Sequence, residues 1–259
     1  MKPALPWRGY LAALIVAGVL AWSVIGTGFD LAKLFQAGPQ VLLFFTQMVP
    51  TADHPWTTEI LPEIGKRLLE TLRIAVAATI CGAALALPFP MVGARTMAAG
   101  KLVYAFGRGY LNLIRTIPDL VLAALIAVAF GYNSFSGFIA LLIFSFGVVA
   151  KLLCDTAETI DPGPMEAIAS VGGTRLQRAL YGVFPQIAPD FAAYTLYAFE
   201  INIRAASVLG LVGAGGIGMI LQKYTAFGNY NKLGLIILII FALVMLIDGV
   251  STALRRKLV

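Results

Sequence analysis

Charged residues are scarce in this 259-residue chain, where Asp, Glu, Lys and Arg together make up 12%. Soluble domains average about 25%. Apolar residues make up 59% of the chain, and a soluble fold cannot shield that much apolar surface behind so few charges. Intrinsic disorder, which needs low hydrophobicity and high charge, is excluded by the same figures. The composition is that of an all-α polytopic membrane protein.

Cysteine and histidine are also rare, with two and one copies. Cys81 and Cys154 lie in or beside apolar runs, which favours small core residues over a disulfide. The single histidine, His54, belongs to no cluster with metal-ligand spacing and cannot complete a Ser-His-Asp set. A G-x-x-x-x-G-K-[ST] phosphate loop is missing too. We therefore expect no metal or cofactor to be bound by this chain, and no catalysis or ATP hydrolysis by it.

Long apolar runs dominate what is present. A membrane-spanning helix needs about 20 mostly apolar residues, and six runs qualify: residues 10–27, 71–94, 111–131, 135–153, 187–208 and 233–250. Residues 31–48 have the spacing of an amphipathic helix, interrupted by Gly38-Pro39. We divide the chain into residues 1–70, an N-terminal span with this outer segment, and a core of residues 71–259.

The basic residues set the predicted orientation. Most of the 19 lysines and arginines fall on one set of loops when both termini are cytoplasmic, as the positive-inside rule requires. Lys2 and Arg8 could also mark a signal peptide, but no clear small-x-small cleavage site follows, which favours an uncleaved helix. The net charge of +6 then indicates basic loops of a bacterial inner-membrane protein rather than a nucleic-acid partner.

The run Gly213-Ala214-Gly215-Gly216-Ile217-Gly218 fits G-x-G-x-x-G. A dinucleotide site requires a preceding strand, whereas this run follows a predicted span on the outer side. The glycines favour a broken or tightly packed helix. Two interpretations stay open: close packing alone, or a gate at the outer mouth formed by Gly213, Gly215, Gly216 and Gly218.

Residues 155–185 form the most informative loop and predict two short helices. Pro164 suits a first helical position, and Glu166 would then lie in the first turn, near the positive end of the helix. Gly172-Gly173 supplies a turn. Thr174 and Gln177 have capping-box spacing and begin the second helix. Pro185 limits its end.

The residues alone leave two interpretations of this loop open. One is a solvated helix–turn–helix connection between two spans. The other is a rigid docking element held outside the membrane by its glycine turn.

Charges within the predicted spans are candidate pathway residues. Glu200 and Arg204 are four residues apart, so they share a helix face. They form either a neutralising salt bridge or a pathway in which the planar fork of Arg204 binds an oxyanion or the pair switches partners. Arg115 and Asp119 repeat the spacing, and a structural pair is favoured there. Asp248 is interpreted as an interface residue or a partner for the basic tail.

The loop resembles the EAA loop of ABC importer permeases. The resemblance lies in Glu166-Ala167-Ile168, in Gly172 and, at the expected spacing, in Phe184-Pro185. Ile168, Gly182 and Phe184 depart from that motif. The resemblance implies that the first short helix fits a groove in a separate ATPase, which would use ATP and Mg. It implies that docking depends on a set of loop residues. That set is Pro164, Glu166, Ala167, Gly172, Gly173, Thr174 and Pro185.

Longer segments are similar to the phosphonate/phosphite permease branch, and the resemblance covers roughly residues 61–259. These segments are residues 115–123, 161–164, 180–186 and 199–218. The resemblance implies a five-helix type I importer core behind one extra N-terminal helix, working as a homodimer. An ATPase dimer would bind inside and a substrate-binding protein outside. An importer of another solute such as methionine is an alternative. A stand-alone transporter or channel is another, but no ion-coupling site or inverted repeat supports it.

Overall fold

The computed structural model describes residues 7–51, 56 and 58–258. Lys2 and His54, which entered the predictions of orientation and metal binding, lie outside the described residues. The helices divide into two units, of which one ends at Val49 and the other begins at Pro50. The division that we drew at residue 70 falls inside a continuous helix of the second unit.

The first unit contains α1 (Trp7–Gly26) and α2 (Leu31–Met48). The large apolar side chains described in α1 are exposed along its length, as expected for a helix that contacts lipid. In α2, Pro39 lies within the helix. The predicted interruption at Gly38-Pro39 is therefore wrong.

The second unit is a helical bundle. Its helices are α3 (Leu61–Ala86), α4 (Pro90–Gly93), α5 (Lys101–Thr116), α6 (Asp119–Phe130), α7 (Ser134–Ala157), α8 (Gly163–Ser170), α9 (Arg175–Gln177), α10 (Phe184–Leu209), α11 (Ile217–Ala226) and α12 (Tyr230–Leu258), and a π-helical segment spans Arg178–Val183. Residues 155–185 lie at one end of the bundle, called the loop end. Residues 213–218 lie at the opposite end, called the glycine end.

Small residues let the central helices α3, α7 and α10 pack closely. A Cβ placed on Gly82 of α3 would lie 2.6 Å from the Ser145 Cβ of α7. Ala75, Ala78 and Ala198 are fully buried. In lipid the hydrophobic effect does not drive helices together, so the van der Waals contacts that this close approach allows stabilise the bundle instead.

A buried hydrogen-bond cluster joins the same three helices. The Asn202 Nδ2 of α10 donates to Thr79 Oγ1 of α3 at 2.7 Å and to Ser145 Oγ of α7 at 2.6 Å. Both hydroxyls donate in turn to carbonyls one turn back in their own helices. Buried hydrogen bonds of this kind contribute about 0.6–1.7 kcal/mol each between membrane helices. This cluster fixes the relative register of the bundle centre.

The span predicted at residues 111–131 is wrong as a continuous helix. Two helices, α5 and α6, meet there at an angle of 87°. The break lies at Ile117, which is extended (φ −78°, ψ 121°), and at Pro118. A proline disfavours helical geometry in the residue before it. Among the described residues five helices are long and apolar enough to span a membrane, or six if the bent pair counts as one span.

Candidate coupling and translocation sites

Helix α8 has one face toward the bundle and one toward solvent. Its Pro164 and Glu166 lie in the first turn, as predicted. Met165 and Ile168 are half-buried, whereas Glu166 and Ala167 are exposed. A Cβ on Gly182 would lie 3.1 Å from the Met165 Cγ. The glycine that departs from the EAA motif therefore makes room for Met165.

The predicted turn after α8 is present. Gly172 has a φ of +81°, which glycine adopts at no steric cost. A Cβ on Gly173 would lie 2.6 Å from the Ile168 carbonyl oxygen. Thr174 caps the next helix: its Oγ1 accepts from the Gln177 N–H at 3.3 Å, and Gln177 Oε1 accepts from the Thr174 N–H at 2.7 Å. Two glycines and one capping box thus fix the shape of the loop.

The second loop helix is not short, and Pro185 does not end it. Helix α9 continues through the π segment Arg178–Val183 directly into α10, and Pro185 lies in the first turn of α10. An interior proline clashes with the carbonyl four residues back and removes a hydrogen bond. The π segment widens the helix just before the proline, so the chain stays helical.

Gln186 fastens the start of the loop to this helix, and sequence reasoning missed it. Its Oε1 accepts from the Asp161 N–H and its Nε2 donates to the Asp161 carbonyl, both at 3.2 Å. Its Nε2 also donates to the Gly182 carbonyl at 2.7 Å. Asp161 Oδ1 in turn accepts from the Gly163 N–H at 2.9 Å. The N-terminal end of α8 is therefore tied to the π segment and to α10.

A charged cluster closes the loop end of α7. The Arg108 guanidinium donates to Asp155 Oδ1 and Glu158 Oε1, each at 2.7 Å. Lys151 also pairs with Asp155 at 2.6 Å, and the Arg95 N–H donates to Glu158 at 2.8 Å. Burial raises the pKa of Glu158, but the hydrogen bonds from Arg108 and Arg95 outweigh it and hold the pKa below its usual value. Glu158 is therefore ionised at neutral pH and stabilises this end.

A second charged cluster lies between α10 and α12. Arg204 pairs with Glu200, as the spacing predicted, and lies 3.4 Å from Asp248. Arg255 donates to the second Glu200 oxygen at 2.6 Å. The basic tail thus pairs with Glu200, and Asp248 pairs with Arg204. The Glu200 side chain is 10% exposed and that of Arg204 is 50% exposed, so Arg204 keeps an open face.

Arg115 and Asp119 do not share a helix face, so that prediction is wrong. The break at Pro118 puts Arg115 at the end of α5 and Asp119 at the start of α6. No ion pair joins them within the part of the chain that the structure describes. Both instead line a cavity of about 330 Å³, together with Tyr197 and Ile201 of α10 and apolar residues of α7. The side chains of its lining are apolar apart from those of Arg115, Asp119 and Tyr197, of which Arg115 and Tyr197 could donate hydrogen bonds to an anion.

The glycine run breaks the helix at the glycine end, as predicted. Gly213, Gly215 and Gly216 all have φ between +71° and +83°. The Ile217 N–H, at the start of α11, donates to Thr71 Oγ1 at 2.8 Å. A Cβ on Gly218 would lie 2.6 Å from the Gly210 Cα. The run is therefore packed tightly against α3 and the end of α10.

We expect Gly137→Ala to lower the free energy of unfolding by about 1–3 kcal/mol. A Cβ at Gly137 in α7 would overlap the carbonyl oxygen of Ala214 in the glycine run. Denaturant unfolding in detergent, followed by circular dichroism, measures the change. Gly109→Ala is the matched control, because nothing lies within 4 Å of its Cβ position and alanine favours a helix interior. Equal stability of the two variants would contradict the close contact.

Among the described residues no three His, Cys, Asp or Glu side chains group as ligands of a metal ion. The charged groups described above are instead engaged with one another or line the cavity. The arrangement offers an exposed helix face, on α8, for a protein partner, and cationic groups, Arg115 and Arg204, for contact with an anion.

Comparison with known proteins agrees with the helical architecture. Residues 86–259 match the family model of the binding-protein-dependent transport system inner membrane component. The chain is 34% identical over 259 residues to the phosphate-import permease protein PhnE of Mycolicibacterium smegmatis, which covers 98% of this chain and 48% of that protein. It is 32% identical to the phosphite transport system permease protein PtxC of Stutzerimonas stutzeri, covering 96% and 90%.

The chain spans about half the length of the first of these relatives and nine tenths of the second. Among solved structures, a chain of the inward-facing MetNI methionine ABC transporter superposes with a TM-score of 0.69 at 19% identity, covering 79% of this chain and 100% of that one. At this identity the likeness concerns the fold alone. With its several apolar helices and a family match over two thirds of its length, the chain belongs to the multi-pass inner-membrane components of binding-protein-dependent transport systems.

Proposed function

We propose that this permease subunit imports a small phosphorus oxyanion, such as a phosphonate, phosphite or phosphate, with energy from a separate ATPase. The relatives that match nearly all of this chain carry the names of phosphate and phosphite permeases, which supports the substrate class. The observation that carries the proposal is the exposed face of α8, which the loop holds in a fixed position.

That face is suited to a partner rather than to the bundle. Met165 and Ile168 anchor α8 from below, and its opposite side presents Glu166, Ala167 and the N-terminal Pro164 to solvent. The turn residues Gly172, Gly173 and Thr174 set the angle of the loop, and Pro185 lies in the first turn of α10. An ATPase dimer that binds α8 on the cytoplasmic side would transmit its closure to α10. In keeping with the positive-inside rule, both chain termini are proposed to lie on this cytoplasmic side.

The pathway is proposed to run along the charged groups that keep an exposed or cavity-facing side. Arg204 retains an open face beside Glu200, and Arg115 and Asp119 line the cavity at the bend. A guanidinium can donate two parallel hydrogen bonds to adjacent oxyanion oxygens. A second copy of this chain would complete the path at a two-fold axis, with membrane lipid around it. The glycine run would close the outer mouth, where a substrate-binding protein delivers the anion.

Uptake into proteoliposomes tests this proposal. The vesicles contain the chain with its co-purifying ATPase, and ATP is supplied on the ATPase side. The binding protein is added outside with labelled phosphite, a phosphonate or methionine. We expect ATP-dependent uptake of a phosphorus oxyanion. Uptake of methionine alone would overturn the substrate class, and flux without ATP would overturn the coupling.

A further inference from the structure

Two adjoining cavities lie at the loop end, away from the proposed pathway. The first is an apolar groove of about 240 Å³ between the end of α3, at Leu87 and Pro88, and the long helix, at Leu180, Val183 and Phe184. Its lining is almost entirely carbon. Such a groove at the edge of a membrane bundle is suited to a hydrocarbon chain.

The second cavity, of about 180 Å³, continues the groove and is polar. Arg175 and Arg178 line it, and it shares Met91, Met97 and Ala179 with the groove. Neither guanidinium has a hydrogen-bond or ion-pair partner within the described residues, and Arg178 Nε is buried without an acceptor. The arginines of the two charged clusters, by contrast, are paired. Two unpaired cations therefore face one small cavity.

The apolar groove begins at the depth of the boundary of a lipid bilayer. The Asn202 cluster lies at the middle of the bundle, because Ser145 is close to the midpoint of α7 (Ser134–Ala157). Leu87 follows Thr79 by eight residues along α3, or about 12 Å at 1.5 Å per residue. The hydrocarbon core extends about 15 Å from its centre. At Leu87 the apolar groove thus reaches the edge of the hydrocarbon, and the two arginines of the adjoining cavity lie on its loop-end side, farther from the bilayer centre.

We propose that the joined cavities hold one anionic glycerophospholipid. Its phosphate lies between Arg175 and Arg178, and one acyl chain follows the apolar groove. A free oxyanion would use the arginines but not the groove, and a neutral lipid would use the groove but leave two cations uncompensated. The bound lipid bridges the α3–α4 turn and the π segment that carries Gly182, the glycine beneath α8. It therefore stabilises the position of residues 155–185.

Native mass spectrometry of the full chain, purified with its co-purifying subunits, tests the site. Phosphatidylglycerol is titrated against phosphatidylcholine of the same acyl chains. We expect one tightly held phosphatidylglycerol, whose affinity falls about fivefold for each of Arg175→Gln and Arg178→Gln, since one basic residue near a membrane surface contributes about 1 kcal/mol. Arg256→Gln removes an exposed charge on α12 and is expected to change the affinity less than twofold.

A groove variant separates a lipid from other occupants. Leu180→Gln leaves both arginines in place, alters a half-exposed side chain of the groove, and is expected to weaken phosphatidylglycerol severalfold. Equal affinity for phosphatidylcholine, or unchanged binding in the double arginine variant, would overturn the proposal. Displacement of the lipid by millimolar inorganic phosphate would reassign the site to a free anion. Loss of the ATPase from the arginine variants with lipid retained would reassign it to protein docking. Neither the substrate class nor ATP coupling enters this measurement.

Discussion

Ala167→Arg is expected to slow ATP-driven uptake at least 100-fold while the bundle stays folded. Ala167 lies on the exposed face of α8, opposite the anchoring side chains Met165 and Ile168. In the proposed complex this face of α8 fits a groove of the ATPase. If that groove accommodates the methyl group of Ala167, it must exclude an arginine side chain or bury its guanidinium without a partner, which costs several kcal/mol. A 100-fold loss corresponds to only about 2.7 kcal/mol. The measurement is uptake of labelled phosphite in the reconstituted complex.

The control for this variant is Ala99→Arg. Ala99 is exposed at the same end of the bundle and lines neither of the two loop-end cavities. Ala99→Arg therefore adds the same charge and volume as Ala167→Arg, but outside α8. Both substitutions are on the surface and should change the free energy of unfolding by less than about 0.5 kcal/mol. We expect the ATPase to co-elute with Ala99→Arg and not with Ala167→Arg. Normal uptake by Ala167→Arg would show that this face of α8 does not bind the ATPase.

Arg204→Gln is expected to slow uptake about 100-fold per folded molecule. A charge within the membrane costs about 2.5–3.5 kcal/mol on insertion scales. The positive charge of Arg204 would offset this cost for an anion that passes it, and the variant lacks that charge. Arg204→Lys keeps the charge but not the planar fork, so we expect a loss of less than tenfold. Initial rates of ATP-dependent phosphite uptake, normalised to the amount of folded complex, measure both effects.

Glu200→Gln separates a pathway role from a structural one. Glu200 is nearly buried between Arg204 and Arg255. Its neutralisation should therefore lower the free energy of unfolding but have little effect on the uptake rate of the molecules that stay folded. We expect this variant to retain at least a tenth of the normal uptake per folded molecule. If Arg204→Gln and Glu200→Gln lower stability alike and neither slows uptake, the pair is only a salt bridge.

The membrane helices and the loop could be predicted because their signals are local. Each apolar run must satisfy its own backbone within the bilayer, and five of the six runs predicted from length and composition are indeed single long helices. Pro164, Gly172 and the Thr174–Gln177 box act within one or two turns, and the structure has them as predicted. In this loop the starts of the helices and the turn between them each depend on only three or four neighbouring residues.

The error at the bend between α5 and α6 arose because the apolar run continues across Pro118. The proline was the local signal of the 87° bend, since it disfavours helical geometry at Ile117. A spacing of four residues places Arg115 and Asp119 on one face only if the helix between them is unbroken.

Two polar contacts could not be predicted, because the partners are remote from each other in the sequence. Asn202 bonds to Thr79, 123 residues away, and Arg255 bonds to Glu200, 55 residues away. Spacing along one helix cannot indicate such pairs. A polar residue in an apolar run, such as Asn202, is still a signal that some partner exists, since an unpaired polar group in lipid is costly.

The continuity of α9, the π segment and α10 has a mechanical consequence. From Arg175 to Leu209 the chain is helical without a break, which corresponds to a contour of about 50 Å at 1.5 Å per residue. If the Asn202 cluster acts as the fulcrum, Gly182 beneath α8 lies 20 residues to one side and Leu209 lies seven to the other. A lever with arms in a ratio of about three to one reduces displacement and multiplies force. A push of about 3 Å on the loop would move the far end by only about 1 Å, with threefold force, which suits the separation of the tightly packed backbones at Gly210 and Gly218.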